Sequence, residues 1–232
     1  MTFYALDERL LFPPPTEAEA DGLLAVGGDL SPERLLLAYQ NGIFPWPHEG
    51  LPLLWFSPDP RMILEPSSMR VSRSLRGRMR RGDFEVTLDR DFAEVMRACG
   101  SIRRAHEEGT WITPGMVAAY TELHERGFAH SVEVWHEGRL AGGLYGVSLG
   151  GVFFGESMFC RVSDASKVGL ATLVQQLAAW DFAWIDCQMV TDHLASLGAV
   201  SWSREHFLKT LKVALKTPTR RGRWALEDLS PV

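Results

Sequence analysis

Apolar residues recur at helical spacing in "SPERLLLAYQNG", "DRDFAEVMRACG", "TPGMVAAYTELHERG", "SDASKVGLATLVQQLAAW" and "SREHFLKTLKVALK", and each stretch predicts a helix with one buried face. Start and stop signals agree with the periodicity. Ser31 can cap, Pro32 suits the first helical position and Gly42 ends the run; Thr113, Pro114 and Gly127 repeat that arrangement. From residue 129 the pattern changes to strands, "AHSVEVWHEGRLAGGLYGVSLGGVFFGESMF", separated by the turn sequences "HEG" and "LGG", which predicts an antiparallel meander. "FAWIDCQM" reads as a buried strand.

The pattern divides the chain into residues 1–82, rich in proline and aromatics, and residues 83–232, where the helices and strands are regular. In the first part, prolines 13 to 15, 45, 47, 52, 58 and 60 each fix φ and remove a donor, so loops and short strands are expected around a single helix. The second part runs helix, helix, strand meander, helix, strand: an α+β, acetyltransferase-like order. Acetyl transfer itself is disfavoured. The strand ending "ESMF" runs into "CRVSDASKVGL", which lacks the glycine-rich turn that would hold a pyrophosphate at a helix N-terminus.

With 232 residues, 46% of them hydrophobic, the chain can fill a core of ordinary size. Cys99, Cys160 and Cys187 are widely spaced with no CxxC pair, so neither a disulfide framework nor a zinc site is expected. No N-terminal signal segment and no apolar run approaching the length of about 18 residues needed to span a bilayer is evident, so a cytoplasmic protein is expected. The net charge of −5 argues against coating nucleic acid by bulk electrostatics. It is unevenly spread. "RVSRSLRGRMRRGD" gathers Arg76, Arg78, Arg80 and Arg81 among other arginines before Asp83, and composition leaves open whether this is a solvated face or a phosphate-binding surface.

Glu156, Asp186 and Gln188 fall in two of the most apolar segments. An ionised carboxylate leaves water only when hydrogen bonds replace its hydration, so these residues either satisfy one another in a core or line a cavity. Asp186 and Gln188, at i and i+2 of a strand, should share a face and hydrogen-bond each other. Strict alternation puts Phe153 and Glu156 on opposite faces unless a bulge or splay near Gly155 intervenes.

Taken in order, "DGLLAVGGDLSPERLLLAYQNGIFPW", "WFSPDPR", "GTWIT", "HSVEVW", "GGLYGV", "FFGESMF", "DASK", "IDCQ" and "HLASLGA" closely resemble the leucyl/phenylalanyl-tRNA–protein transferases, from about residue 11 to about residue 209. The resemblance implies transfer of Leu or Phe, and Met less well, from aminoacyl-tRNA to the α-amine of proteins that begin with Lys or Arg, marking them for degradation. It implies an enzyme that needs no metal, ATP or coenzyme A, because the aminoacyl ester is already activated; a monomer is expected. Trp46 and Trp111, otherwise read as packing aromatics, would hold the terminal adenosine of the tRNA; stacking suits an unpaired base.

Leu144, Phe153, Met158, Leu170 and Ile185, otherwise core residues, would form the pocket for the transferred side chain, with Leu144 standing where Met is common. Asp186 and Gln188 would lie at the reacting centre, with Glu156 and Asp186 as an acidic site for the acceptor's amino terminus. Gln188 as an oriented acceptor asks only for ordinary hydrogen bonds, whereas a carboxamide has no useful basicity near neutral pH. Thr191 departs from the family's usual Asn. Two rivals remain: a related transferase for acidic N-termini, whose members lack the "GIFPW" region, and a catalytically silent RNA-binding protein of the same fold.

Overall fold

The computed structural model describes residues 4–48, 50–101 and 110–227. The first part builds a small four-stranded sheet from β1 (Tyr4–Leu6), β2 (Leu23–Gly27), β3 (Phe44–Pro45) and β4 (Leu54–Phe56), in the order β1-β2-β4-β3. Helix α1 (Pro32–Gln40) lies between β2 and β3, with Ser31 accepting from the Arg34 amide as its cap. Strand β5 (Arg61–Leu64) belongs instead to the larger sheet, and the arginine-rich run, to which the apolar pattern assigned no element, forms α2 (Arg73–Arg80). There follow β6 (Glu85–Leu88), α3 (Phe92–Ser101), α4 (Pro114–Glu125), β7 (Ala129–His136), β8 (Arg139–Leu149), β9 (Val152–Cys160), α5 (Ala165–Ala179), β10 (Trp184–Gln188), α6 (Asp192–Ser196), β11 (Val200–Trp202) and α7 (Arg204–Ala214).

The seven strands of the larger sheet run β11-β5-β10-β9-β8-β7-β6. The α+β class expected from the pattern is the architecture observed. In the meander, the β7–β8 turn places Glu137 and Gly138 at φ +51° and +71°, the left-handed pair of a tight hairpin. All pairs of this larger sheet are antiparallel except β9 with β10, whose parallel pairing requires the crossover that α5 supplies. Core packs on both faces. One side joins α1, α3, α4 and α7 to Ile63, Tyr145, Phe154 and Trp184. The other packs α5 against Met62, Leu64, Leu144, Phe153 and Ile185.

A bulge in β9 decides which residues reach which face. Tyr145 opposes Ser157 and Gly146 opposes Gly155, so Glu156 is the extra residue. Because the side-chain period is two, that insertion switches the phase of the strand: Phe153 and Met158 both join the α5 side, Phe154 and Phe159 the other. The backbone is crowded here. A Cβ at Gly146 would sit 2.2 Å from the Phe154 carbonyl oxygen and 2.6 Å from the Phe153 ring. Gly146→Ala is therefore expected to lower stability by about 2 kcal/mol, the scale of an overpacked core. An unchanged urea midpoint would refute this account of the bulge. Among the described residues, no helix is long and apolar enough to cross a membrane.

Candidate active site

Strands β9 and β10 pair only from Val152/Trp184 to Phe154/Asp186, although both continue beyond. Where the pairing stops, two polar side chains bridge the strands. Gln188 Nε2 donates to Glu156 Oε1 at 2.8 Å. The other Glu156 oxygen accepts from the Tyr120 hydroxyl at 3.3 Å, and the Tyr120 and Tyr39 hydroxyls are hydrogen-bonded to each other. Tyr39 comes from α1 and Tyr120 from α4, so helices from both parts of the chain close over this carboxylate.

Enclosure governs the electrostatics. Loss of hydration raises the Glu156 pKa to about 7; the Tyr39, Gln188 and Tyr120 hydrogen bonds oppose that rise and the Asp186 charge adds to it. Burial, and then the nearby Glu156 charge, push both phenols well above their ordinary value, so they remain protonated.

Asp186 is placed differently from the expectation. Its carboxylate neither bonds the Gln188 side chain nor joins Glu156 in an open acidic site. Arg61 of β5 takes both oxygens, Nε to Oδ1 at 2.8 Å and Nη2 to Oδ2 at 2.7 Å, with both residues fully buried. The guanidinium lies against the rings of Phe44 and Phe207, 4.8 and 4.7 Å from their centroids. What links Asp186 to Gln188 is the backbone: the Gln188 N–H donates to Asp186 Oδ1 at 2.9 Å. The register of β10 against β5 skips Cys187, and Gln188 adopts φ +62°. That left-handed conformation ends the alternation of faces and turns the carboxamide toward Glu156. For a residue other than glycine it costs roughly 1–2 kcal/mol, which the bond to Asp186 helps offset. Burial also raises the Cys187 thiol pKa, leaving a poor nucleophile.

The five residues assigned to a side-chain pocket lie together on the α5 side, with Leu144 opposite Met158 and Phe153 opposite Ile185 on paired strands and Leu170 facing them from α5. Trp46 and Trp111 are both half-buried against the main core, and Trp46 meets Phe56 edge-on at 5.5 Å. The arginine run splits. Arg78 and Arg81 bond Asp83 at 3.0 and 3.2 Å, while Arg76 and Arg80 are exposed on α2. Arg103 and Arg104 lie outside the described residues. Thr191 caps α6 by accepting from the Leu194 amide. Among the described residues, no group of three or more His, Cys, Asp or Glu is placed to hold a metal ion.

Sequence reasoning missed Arg61, Tyr39 and Tyr120. The tyrosines sit on apolar helix faces where the pattern reads only core, and Arg61 precedes "MIL" as an apparent strand-end charge.

A family model described as "Leucyl/phenylalanyl-tRNA protein transferase" matches residues 63–212, and one for the N-terminal domain of the same family matches residues 28–59. A leucyl/phenylalanyl-tRNA–protein transferase of Desulfatibacillum aliphaticivorans is 60% identical over 228 residues, 98% of each chain. One from Myxococcus xanthus (strain DK1622) is 56% identical over 226 residues, 97% of each chain. Among solved structures, a GCN5-related N-acetyltransferase from Kribbella flavida aligns at TM-score 0.38 and 12% identity, over 74% of this chain and 61% of that one, too distant to bear on mechanism. The sequence matches make the chain a transferase. It belongs to the leucyl/phenylalanyl-tRNA–protein transferase family.

Two outcomes test the site's construction. Asp186→Ala leaves the Arg61 charge buried and unpaired, so a loss of about 3–5 kcal/mol is expected in denaturant unfolding, with much of it recovered in an apolar Arg61→Met/Asp186→Leu double variant. Wild-type stability in the single variant would show that the pair is dispensable. Glu156 adds a pH dependence. Its folded pKa of about 7 exceeds the value of an exposed Glu, so the folded protein keeps a proton that the unfolded chain loses. Stability should fall as pH rises through that window and level off above about 7. Glu156→Gln should flatten this part of the pH profile; an unchanged slope would argue against the enclosed carboxyl.

Proposed function

We propose that the protein transfers Leu or Phe, and Met less well, from aminoacyl-tRNA to the α-amine of cytoplasmic proteins beginning with Lys or Arg, acting as a monomer and creating a degradation signal. The observation that carries the chemistry is the state of the Gln188 amide. Its nitrogen is committed to Glu156, while its Oε1 has no partner among the described residues and can accept an N–H from an incoming amine. A carboxylate only accepts hydrogen bonds, so an ionised Glu156 holds the amide in that orientation.

In this reading the oriented amine attacks the carbonyl carbon of the aminoacyl ester. The new C–N bond forms, the ester C–O bond breaks, and the proton given up by nitrogen passes to the departing ribose oxygen. Gln188 positions and Glu156 orients; neither needs to remove the proton as a base of matched pKa. Asp186 contributes through the backbone conformation of Gln188. The transferred side chain enters the cluster of Leu144, Phe153, Met158, Leu170 and Ile185, where apolar contact favours Leu and Phe and a polar side chain would be left unpaired. Trp46 and Trp111 stack the terminal adenosine. Residues 1–82 supply Trp46, with residues 83–232 as the catalytic part, and the arginines of the α2 run contact tRNA phosphates, chiefly the exposed Arg76 and Arg80.

The test is incubation with radiolabelled leucyl-tRNA and acceptor proteins starting with Arg or with Asp. Label on the Arg acceptor alone is expected; no label with active tRNA favours the silent RNA-binding alternative, and label on the Asp acceptor alone favours the relative that acts on acidic N-termini. In the same assay Gln188→Glu should lower kcat at least about tenfold, because two facing carboxyls must share a proton, and the loss should deepen as pH rises through the Glu156 range near 7. Wild-type turnover in that variant would overturn the positioning role.

A further inference from the structure

We infer that Trp224, in the extended segment after α7, is a specificity-determining positioning residue that acts through Phe153 on the choice of transferred side chain. This rests on the assignment of Phe153 to the side-chain pocket. The segment has no regular secondary structure, yet it is fixed at several points. Thr219 Oγ1 accepts from the Gly150 amide at 2.9 Å, and the Glu227 amide donates to Gln176 Oε1 of α5 at 2.8 Å. Between these anchors Trp224 is buried, 4% exposed, within the same apolar cluster as the five assigned pocket residues.

One carboxylate sets its place. Asp89 accepts the Trp224 backbone N–H at 2.7 Å and pairs with His130 Nδ1 at 2.8 Å, through the same oxygen. The indole and imidazole thereby stack flat, 3.7 Å between centroids and 7° apart. Asp89 takes a left-handed backbone, φ +55°, to make these contacts. The indole also meets Phe153, tilted at 39° and 5.9 Å between centroids, with Trp180 and Phe182 edge-on to it at 4.9 and 5.8 Å.

Phe153 is thus held from two directions. Its ring lies over Gly146, where a Cβ would come within 2.6 Å, and it backs onto Trp224. Close-packed walls yield only when the layer behind them does. Trp224 therefore determines how far the Phe153 ring can recede, and hence the length of side chain the pocket admits. The buried His130 and Asp89 hold the indole in register with it.

The experiment measures kcat/KM for leucyl-tRNA and phenylalanyl-tRNA on an Arg-starting acceptor, using the full chain. Trp224→Ala, Trp224→Phe and Phe153→Ala are compared with the wild type. A loss of folded enzyme cancels in the Phe/Leu ratio, so a merely structural tryptophan would not change it. Trp224→Ala should move the ratio toward Phe by about threefold or more, the lower end of what a change of pocket size supplies, and Trp224→Phe should stay within about twofold of wild type. If Trp224→Ala is insoluble, Trp224→Leu carries the same expectation. A ratio that is unchanged or moves toward Leu, while Phe153→Ala shifts it, overturns the role of Trp224 and leaves the pocket standing. A ratio unmoved by Phe153→Ala overturns the pocket assignment, and this inference with it.

Discussion

A buried ion pair is a costly element on which to build, since each charge forfeits several kcal/mol of hydration that only good geometry returns. Between Arg61 and Asp186 the geometry is good: a two-pronged contact, a backbone N–H on the same carboxylate, and a phenyl ring from each of two distant segments against the guanidinium. Phe44 belongs to the small sheet and Phe207 to α7, so the pair joins strands β5 and β10 to both. The conformation of Gln188 depends on it as well. Without Asp186 as acceptor, the left-handed turn after Cys187 keeps only the Met189 N–H to Cys187 carbonyl bond, and the carboxamide is held by Glu156 alone.

The two carboxylates of the region, Asp186 buried and Glu156 half-buried, are accommodated by opposite means. Asp186 has a permanent countercharge and donors to both oxygens. Glu156 has phenols and an amide, which hydrogen-bond without neutralising, so its charge is relieved by a proton instead, with a pKa of about 7. Such a group is sensitive to what enters beside it: an ammonium would favour its ionised form, and an apolar chain would favour the protonated one. A structural charge and a titrating one thus lie side by side, distinguished by the type of donor the fold supplies.

What was legible in the sequence is what is local. Ser31 and Thr113 announce their helices because a cap and a proline act within one turn. The conflict between the phases of Phe153 and Glu156 demanded an irregularity near Gly155, and one is present, although it brings Met158 rather than Glu156 to the Phe153 side. Helix α2 was not legible, since Leu75 is its one buried residue and a single apolar position has no period. Nor was Arg61, whose partner lies 125 residues away. Alternation predicted a side-chain bond between Asp186 and Gln188, and it failed because Gln188 leaves the strand conformation at that residue. Tyr39 and Tyr120 are buried as any core tyrosine would be; only their hydroxyls distinguish them, and an apolar pattern does not register a hydroxyl.

The position of β5 also bears on how the chain reaches this structure. Its neighbours in the sheet are β10 and β11, made from residues 184–188 and 200–202, so the sheet cannot close until segments more than a hundred residues apart have met. The β7–β8–β9 meander, by contrast, pairs neighbours and can form early. Closing so long a loop carries an entropic penalty before any contact offsets it, and chains dominated by such pairings fold slowly. The ion pair spans that same long separation, so it requires β5 and β10 to be side by side. Strand β10 can pair with β9 through the nearby α5 crossover, but its pairing with β5, which carries the Arg61–Asp186 contact, is among the longest-range contacts of the sheet.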